Sequence, residues 1–274
     1  MICFPNAKIN LGLHIIRRRE DGYHDLNTVF YPIPLRDALE SIESDDMSLQ
    51  LHGIEVPGNP ATNLVWKAWE LLQADYPQLP KQQIHLLKNI PNGAGLGGGS
   101  SDAAFMLRLM NDAYQLNLSV EQLQNYALRL GSDCPFFLHN TACIGEGRGE
   151  NLTPISLSLA GFYLVLVKPE WHVSTAWAFA NLMLATNTCP PSKAVLKPIE
   201  QWHEWVHNDF EAPIFKAFPP MAAIKARFYD VGAVYSAMSG TGSVIYGIFK
   251  QAPESHMIAH DAILGAHKHW IVRL

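Results

Sequence analysis

Ile90-Pro-Asn-Gly-Ala-Gly-Leu-Gly-Gly-Gly-Ser-Ser-Asp-Ala-Ala104 carries five glycines and then breaks into two serines and an alanine-rich pattern. Glycine has no Cβ, so a backbone rich in it turns tightly and approaches a ligand closely. The flanks are patterned, which a flexible linker of the same composition would not require. Upstream, residues 83–88 alternate as a strand does; downstream, Ala103, Ala104, Leu107, Met110 and Ala113 or Tyr114 recur at helical spacing. Ser100 or Ser101 is expected to cap that helix, with Asp102 in its first turn. A helix start has unpaired N–H groups and the positive end of the dipole. The stretch therefore predicts strand, loop and helix folded around an anion, and phosphate is the usual one.

Two familiar phosphate loops do not fit. A Walker A loop ends in Gly-Lys-Ser/Thr, whereas Ser100 follows Gly99 directly. Gly93, Gly95 and Gly98 match the dinucleotide spacing by count. The acidic residue that should end a second strand about 20 positions on is missing, because Glu121 falls in a helical pattern.

A chain of 274 residues suffices for one large domain or two smaller ones. With 48% hydrophobic and 16% charged residues it can fill a core. Its net charge of -5 argues against a general nucleic-acid binder, and leaves any phosphate to be held by local groups. Cys3, Cys134, Cys143 and Cys189 show no Cys-x-x-Cys spacing and read as thiols in a reducing compartment. No stretch has the pattern of a signal peptide or the length of a membrane span. The expectation is a soluble, cytoplasmic protein without nucleic-acid or membrane partners, its oligomeric state left open.

Strands are expected over 2–16, 23–31, 47–54, 83–88, 141–146, 162–167, 233–238, 244–249 and 269–273. Helices are expected over 62–75, 101–114, 119–130, 174–185, 199–207, 211–217, 219–229 and 253–265. Strands come in runs and helices in blocks, so the fold class is α+β. The pattern resets near 150–160, which divides the chain into domains 1–153 and 154–274.

In the first strand Ala7, Ile9, Leu11, Leu13 and Ile15 share one face, and Lys8, Asn10, Gly12 and His14 the other. Phosphoryl transfer needs a cation, and the glycine stretch supplies none, so Lys8 is a candidate; a strand lysine facing water is the alternative. In Gly131-Ser-Asp-Cys-Pro135, Pro135 disfavours helix at Cys134 and places Asp133 in a turn at the end of a helix. Asp133 is either a turn aspartate or a carboxylate that takes or orients a hydroxyl proton. Ser239-Gly-Thr-Gly-Ser243 is either a plain strand connection or a second source of N–H groups for an anion. His203-Glu-Trp-Val-His207 spells a zinc-hydrolase pattern, with both histidines and a glutamate base on one helix. The third ligand is absent at the required spacing, where the chain has Phe210 and Pro213.

Taken in order, Pro5-Asn-Ala-Lys-Ile-Asn-Leu11, Asp21-Gly-Tyr-His24, the glycine stretch, Gly131-Ser-Asp-Cys-Pro135 and Ser239-Gly-Thr-Gly242 resemble the GHMP kinase superfamily over nearly the whole chain. The resemblance implies a two-domain α+β fold with its active site in an interdomain cleft, and an ATP-dependent kinase that uses Mg²⁺ and a small-molecule alcohol. It implies Lys8 and Asp133 as the catalytic pair. Pro91, Asn92, Gly93, Ala94, Gly95, Leu96, Gly97, Gly98, Gly99, Ser100 and Ser101 would wrap the triphosphate, with Asn63 near the adenine. Ser101 or Ser100 would be nearest the metal; its other ligands are unknown.

The Asp-Gly-Tyr-His turn points within the superfamily to a cytidine-diphosphate sugar alcohol as substrate. Tyr23 would stack on the base, His24 bond its edge and Phe179 form the second wall. Asn10, Thr175, Gly240, Thr241 and Gly242 would complete the substrate site. The alternatives are a superfamily kinase for a mevalonate- or homoserine-like alcohol, and a zinc hydrolase using His203 and His207. Asn92, Ala94 and Cys134 depart from the family's usual residues without removing a reactive group.

Overall fold

The structure, a computed structural model, describes residues 1–182 and 189–274. The first half of the chain runs β1 (Ile2–Cys3), β2 (Asn6–Arg18), β3 (His24–Arg36), β4 (Ala38–Glu43), β5 (Ser48–Gly53), α1 (Leu64–Asp75), β6 (Gln82–Lys88), α2 (Gly98–Ala113), α3 (Val120–Leu130) and α4 (Cys134–His139). There follow β7 (Cys143–Gly147), β8 (Asn151–Pro154), β9 (Tyr163–Lys168), α5 (Thr175–Ala180), α6 (Pro191–Ala194), α7 (Trp202–Trp205), α8 (Glu211–Ala217) and α9 (Pro219–Asp230). The chain closes with β10 (Tyr235–Met238), β11 (Ile245–Phe249), α10 (Ser255–Ala259) and β12 (Lys268–Arg273). Among the described residues no helix is long and apolar enough to cross a membrane.

Contacts divide the chain into two units, and neither is a single segment. Unit 1 is Met1–Lys8, Leu35–Asn92 and Gly97–Thr141; unit 2 is Ile9–Pro34, Gly93–Leu96 and Ala142–Leu274. This division differs from one cut at 153/154, because β7 and β8 share a sheet with β2 and β3, in the order β2-β3-β7-β8.

Unit 1 holds a sheet in the order β1-β4-β6-β5. Strand β6 runs antiparallel to β4 and parallel to β5. One face of this sheet presents Leu39, Leu49, Ile84 and Leu86, all buried; Val65, Ala68 and Leu72 of α1 and Met106, Leu107 and Met110 of α2 are buried as well. In unit 2 the other sheet has the order β10-β11-β9-β12, with every pairing antiparallel. Its Val165, Val167, Met238 and Ile245 pack with Leu13 and Ile15 of β2, Phe210, and Ile224 and Phe228 of α9.

The structure changes three local expectations that bear on the site. Helix α2 starts at Gly98 rather than at 101, and its N-cap is Gly97 in the left-handed region with no side-chain cap bond. Neither serine caps it. Pro135 does not exclude helix but lies in the first turn of α4, where its missing N–H has no partner to lose. Asp133 is thus the N-cap residue of a short helix where the sequence pattern predicts a turn. The helix expected over 199–207 is a 3-10 turn at Ile199–Gln201 followed by the short α7. The last three residues of the helix expected over 174–185 lie outside the described residues.

Candidate active site

Within unit 1, β2 delivers Lys8 and the N-terminus of α4 delivers Asp133. Lys8 Nζ lies 3.4 Å from Asp133 Oδ2, with the lysine side chain buried and the carboxylate 36% exposed. Lys8 therefore does not face water. Gly97 adjoins the pair: a Cβ there would stand 3.2 Å from Lys8 Cε and 2.8 Å from Phe137 Cζ. The ammonium is held where the glycine stretch enters α2, whose first N–H groups carry no side-chain cap.

The glycine stretch uses the left-handed region at alternate residues, Gly93, Gly95 and Gly97. Its middle is fixed within unit 2. Val244 N–H donates to Ala94 O at 3.2 Å, and Ser239 Oγ donates to Gly95 O at 2.7 Å. A Cβ on Gly95 would stand 1.9 Å from Ser239 O, so no other residue fits there. The Ser239-Gly-Thr-Gly turn thus supports the stretch from below. Ala94 and Leu96 are buried. Asn92 Nδ2 donates to Glu55 O at 3.2 Å.

A second feature of unit 1 was not legible in the sequence. Lys88, at the end of β6, is ion-paired with Asp37 and, at 2.7 Å, with Asp102 of α2, which lies past the helix's first turn because α2 starts at Gly98. All three side chains are essentially buried. Asp37 Oδ1 also accepts the N–H groups of Asn89 and Ile90, at 2.6 and 2.8 Å. One carboxylate and one ammonium thus tie the entrance of the glycine stretch to its exit. Burial works to lower the Lys88 pKa, and the carboxylates of Asp102 and Asp37 outweigh it and raise it. Burial pushes the Asp102 carboxyl up to about 7 against the pull of Lys88, and its Oδ1 has no hydrogen-bond partner. Lys88 shares an inward β6 face with Ile84 and Leu86, a period of two that marks its burial but not its partners.

Lys88, Asp102 and Gly99 also line a cavity of about 200 Å³ together with Asn63, Leu64 and Pro57. Asn63 caps α1, its side chain accepting from Val65 N–H at 2.9 Å.

In unit 2, hydrogen bonds orient Asn10. Its Nδ2 donates to Thr28 Oγ1 at 2.9 Å, and its own N–H donates to Ser239 Oγ at 3.2 Å. A Cβ on Gly240 would lie 3.4 Å from Asn10 Oδ1. Thr175 and Thr241 approach through their hydroxyls at 3.3 Å. His24 and Phe179 stack at 4.8 Å, and Phe210 meets the Phe179 ring edge-on at 4.9 Å. Tyr23 is 55% exposed, and the Arg148 guanidinium lies 4.9 Å from its ring centroid. His24 and Phe179 line a cavity of about 550 Å³. Burial, and then the Arg18 charge, lowers the His24 pKa.

His203 and His207 are not presented together, because α7 ends at Trp205. A ring nitrogen of each approaches a main-chain carbonyl at 2.8 Å, Glu200 O for His203 and Glu204 O for His207.

The family pattern described as GHMP kinases N terminal domain matches residues 63–141, and that described as GHMP kinases C terminal matches residues 193–260. The chain belongs to the GHMP kinases, ATP-dependent phosphotransferases. It is 51% identical over 254 residues to a 4-diphosphocytidyl-2-C-methyl-D-erythritol kinase of Bacteroides thetaiotaomicron, covering 91% of this chain and 92% of that protein. A protein of the same name from Parabacteroides distasonis is 47% identical over 251 residues, covering 92% of each chain. The solved structure of a 4-(cytidine 5'-diphospho)-2C-methyl-D-erythritol kinase aligns with TM-score 0.82 and 31% identity, covering 99% of this chain and 98% of that one. A homoserine kinase from Cytophaga hutchinsonii shares the fold, with TM-score 0.71 at 14% identity.

Proposed function

We propose that this chain transfers the γ-phosphoryl group of ATP to the 2-hydroxyl of 4-diphosphocytidyl-2-C-methyl-D-erythritol, a step of the non-mevalonate route to isoprenoid precursors. The observation that carries the proposal is the 51% identity, sustained over 91% of the chain, to a kinase named for that substrate.

The acceptor is a tertiary alcohol of little acidity. Asp133 accepts or orients its proton, and the Lys8 ammonium beside Asp133 offers charge to the transferring phosphoryl group. Phosphoryl transfer depends mainly on positioning and charge stabilisation, which the glycine stretch and the start of α2 supply through main-chain N–H groups. Asn63 and the cavity beside it accept the nucleoside. The residues present fit Mg²⁺, which keeps several waters and needs few protein ligands. Ser101 Oγ is buried without a hydrogen-bond partner in the first turn of α2 and would hold the ion. When bound, the ion would neutralise charge on the β- and γ-phosphate oxygens. Tyr23, His24 and Phe179 recognise the cytosine, Asn10 positions the sugar alcohol, and Thr175, Gly240, Thr241 and Gly242 complete the substrate site.

Purified protein is given ATP and, in separate assays, the cytidylated alcohol, mevalonate, homoserine and uncytidylated 2-C-methyl-D-erythritol 4-phosphate. Turnover should be confined to the first. Equal or faster turnover of an uncytidylated alcohol would overturn the proposal.

A further inference from the structure

Residues 17–19 are three successive arginines, and the structure uses them differently. Side chains alternate along the end of β2, which puts Arg17 and Arg19 on one side and Arg18 on the other. Arg17 Nε meets Asp25 Oδ2 at 2.6 Å. Arg19 meets Asp21 at 2.9 Å and Asp25 at 3.2 Å. Arg18 has no acid partner among the described residues. It lines the cavity of about 550 Å³ with Gly22, His24, Phe179, Ala180 and Leu182. Among the described residues that lining contains no carboxylate. His24, its other titratable group, is held toward its neutral form by burial and by Arg18 itself. The described lining therefore carries one permanent charge, and the charge is positive.

A guanidinium in a concave site without a counter-ion is a receptor for a phosphate oxygen, which it meets with paired, charge-assisted hydrogen bonds. We propose that Arg18 is a specificity residue that binds the diphosphate of the cytidylated substrate, so that the His24–Phe179 cavity selects a cytidine diphosphate over a bare cytidine. This rests on the substrate reading given above. It adds a residue that the family resemblance did not supply. It also gives a chain of net charge -5 a local means of holding an anion.

The test is calorimetric titration of CDP and of cytidine into wild type, Arg18→Gln and Arg18→Lys. Wild type should prefer CDP. Arg18→Gln should lose about tenfold in CDP affinity, the scale of one charge-assisted contact at an exposed residue, and keep its cytidine affinity within about twofold. Arg18→Lys should recover part of the loss, because it restores charge without the planar fork. In kinetics KM for the cytidylated substrate should rise in Arg18→Gln while KM for ATP does not. An unchanged CDP-to-cytidine ratio in Arg18→Gln overturns the role of Arg18 and leaves the substrate reading intact. Failure of wild type to bind CDP overturns both.

Discussion

At the scale of single residues, the Lys8–Asp133 pair makes the sharpest demand. If Asp133 handles the hydroxyl proton, Asp133→Asn keeps shape and hydrogen bonding and loses the basic oxygen. The expected result is a fall in kcat of about 10²–10⁴-fold with affinity for a non-hydrolysable ATP analogue retained. Steady-state kinetics and calorimetry on the same preparation measure both, and a wild-type kcat would remove Asp133 from the chemistry. The residue types and order of this pair could be read from the chain, but the burial of Lys8 could not. Alternation along β2 shows that two strand faces differ; it does not show that the polar one meets solvent. In the folded chain Ala7, Lys8, Ile9 and Asn10 are all buried. The Asp37–Lys88–Asp102 cluster escaped for a related reason. Its partners are 51 and 14 positions from Lys88, and pairing at such range leaves no local pattern.

At the scale of elements, the strand–loop–helix unit was legible because periodicity changes from two to 3.6 across the glycines. The helix start was misplaced by three residues. Serine is the usual cap, and here Gly97 replaces side-chain capping with a left-handed turn. That substitution predicts an outcome. Gly97→Ala adds left-handed strain of about 1–2 kcal/mol together with contact on Phe137 and Lys8. Gly232→Ala is the control, since Gly232 is also left-handed but a Cβ there meets nothing within 4 Å. Both variants should lower the urea midpoint. Only Gly97→Ala should also lower kcat and raise KM for ATP, and equal kinetics in the two would show that the space around Gly97 is irrelevant to the site. Helix α4 is not evident from the sequence, because Pro135 disfavours helix at the residue before it and yet suits a first turn.

For the molecule as a whole, the class α+β followed from the order of strand and helix patterns, whereas the interleaved segments of the two units did not. Only pairing, such as that of β7 with β3, reveals which segments associate. Stability across pH belongs to this scale. Folding raises the Asp102 carboxyl to about 7, above its ordinary value of about 3.9. The folded chain then binds more protons here than the unfolded chain, so this group's contribution becomes increasingly unfavourable as pH rises from about 4 to about 7. Asp102→Asn removes that slope and leaves Lys88 paired with Asp37. The Tm of Asp102→Asn minus that of wild type should therefore grow more positive from pH 5 to pH 8. Roughly 2–4 °C corresponds to each kcal/mol in a chain of this size. A difference that is flat or falls with pH, measured by scanning calorimetry, would show that Asp102 is ionised throughout.

The stack of His24 on Phe179 has a kinetic consequence for the proposed cytidine site. The phenyl surface that a pyrimidine would use is already paired with an imidazole of the same chain. Recruitment is then an exchange of one plane for another, and the newcomer must displace the resident ring before it gains anything from the surface beneath. Apparent affinity is lowered by the fraction of molecules in which the two rings have not parted. A compound without a flat face has nothing to offer in return for the displaced ring, so the threshold turns it away at the entrance.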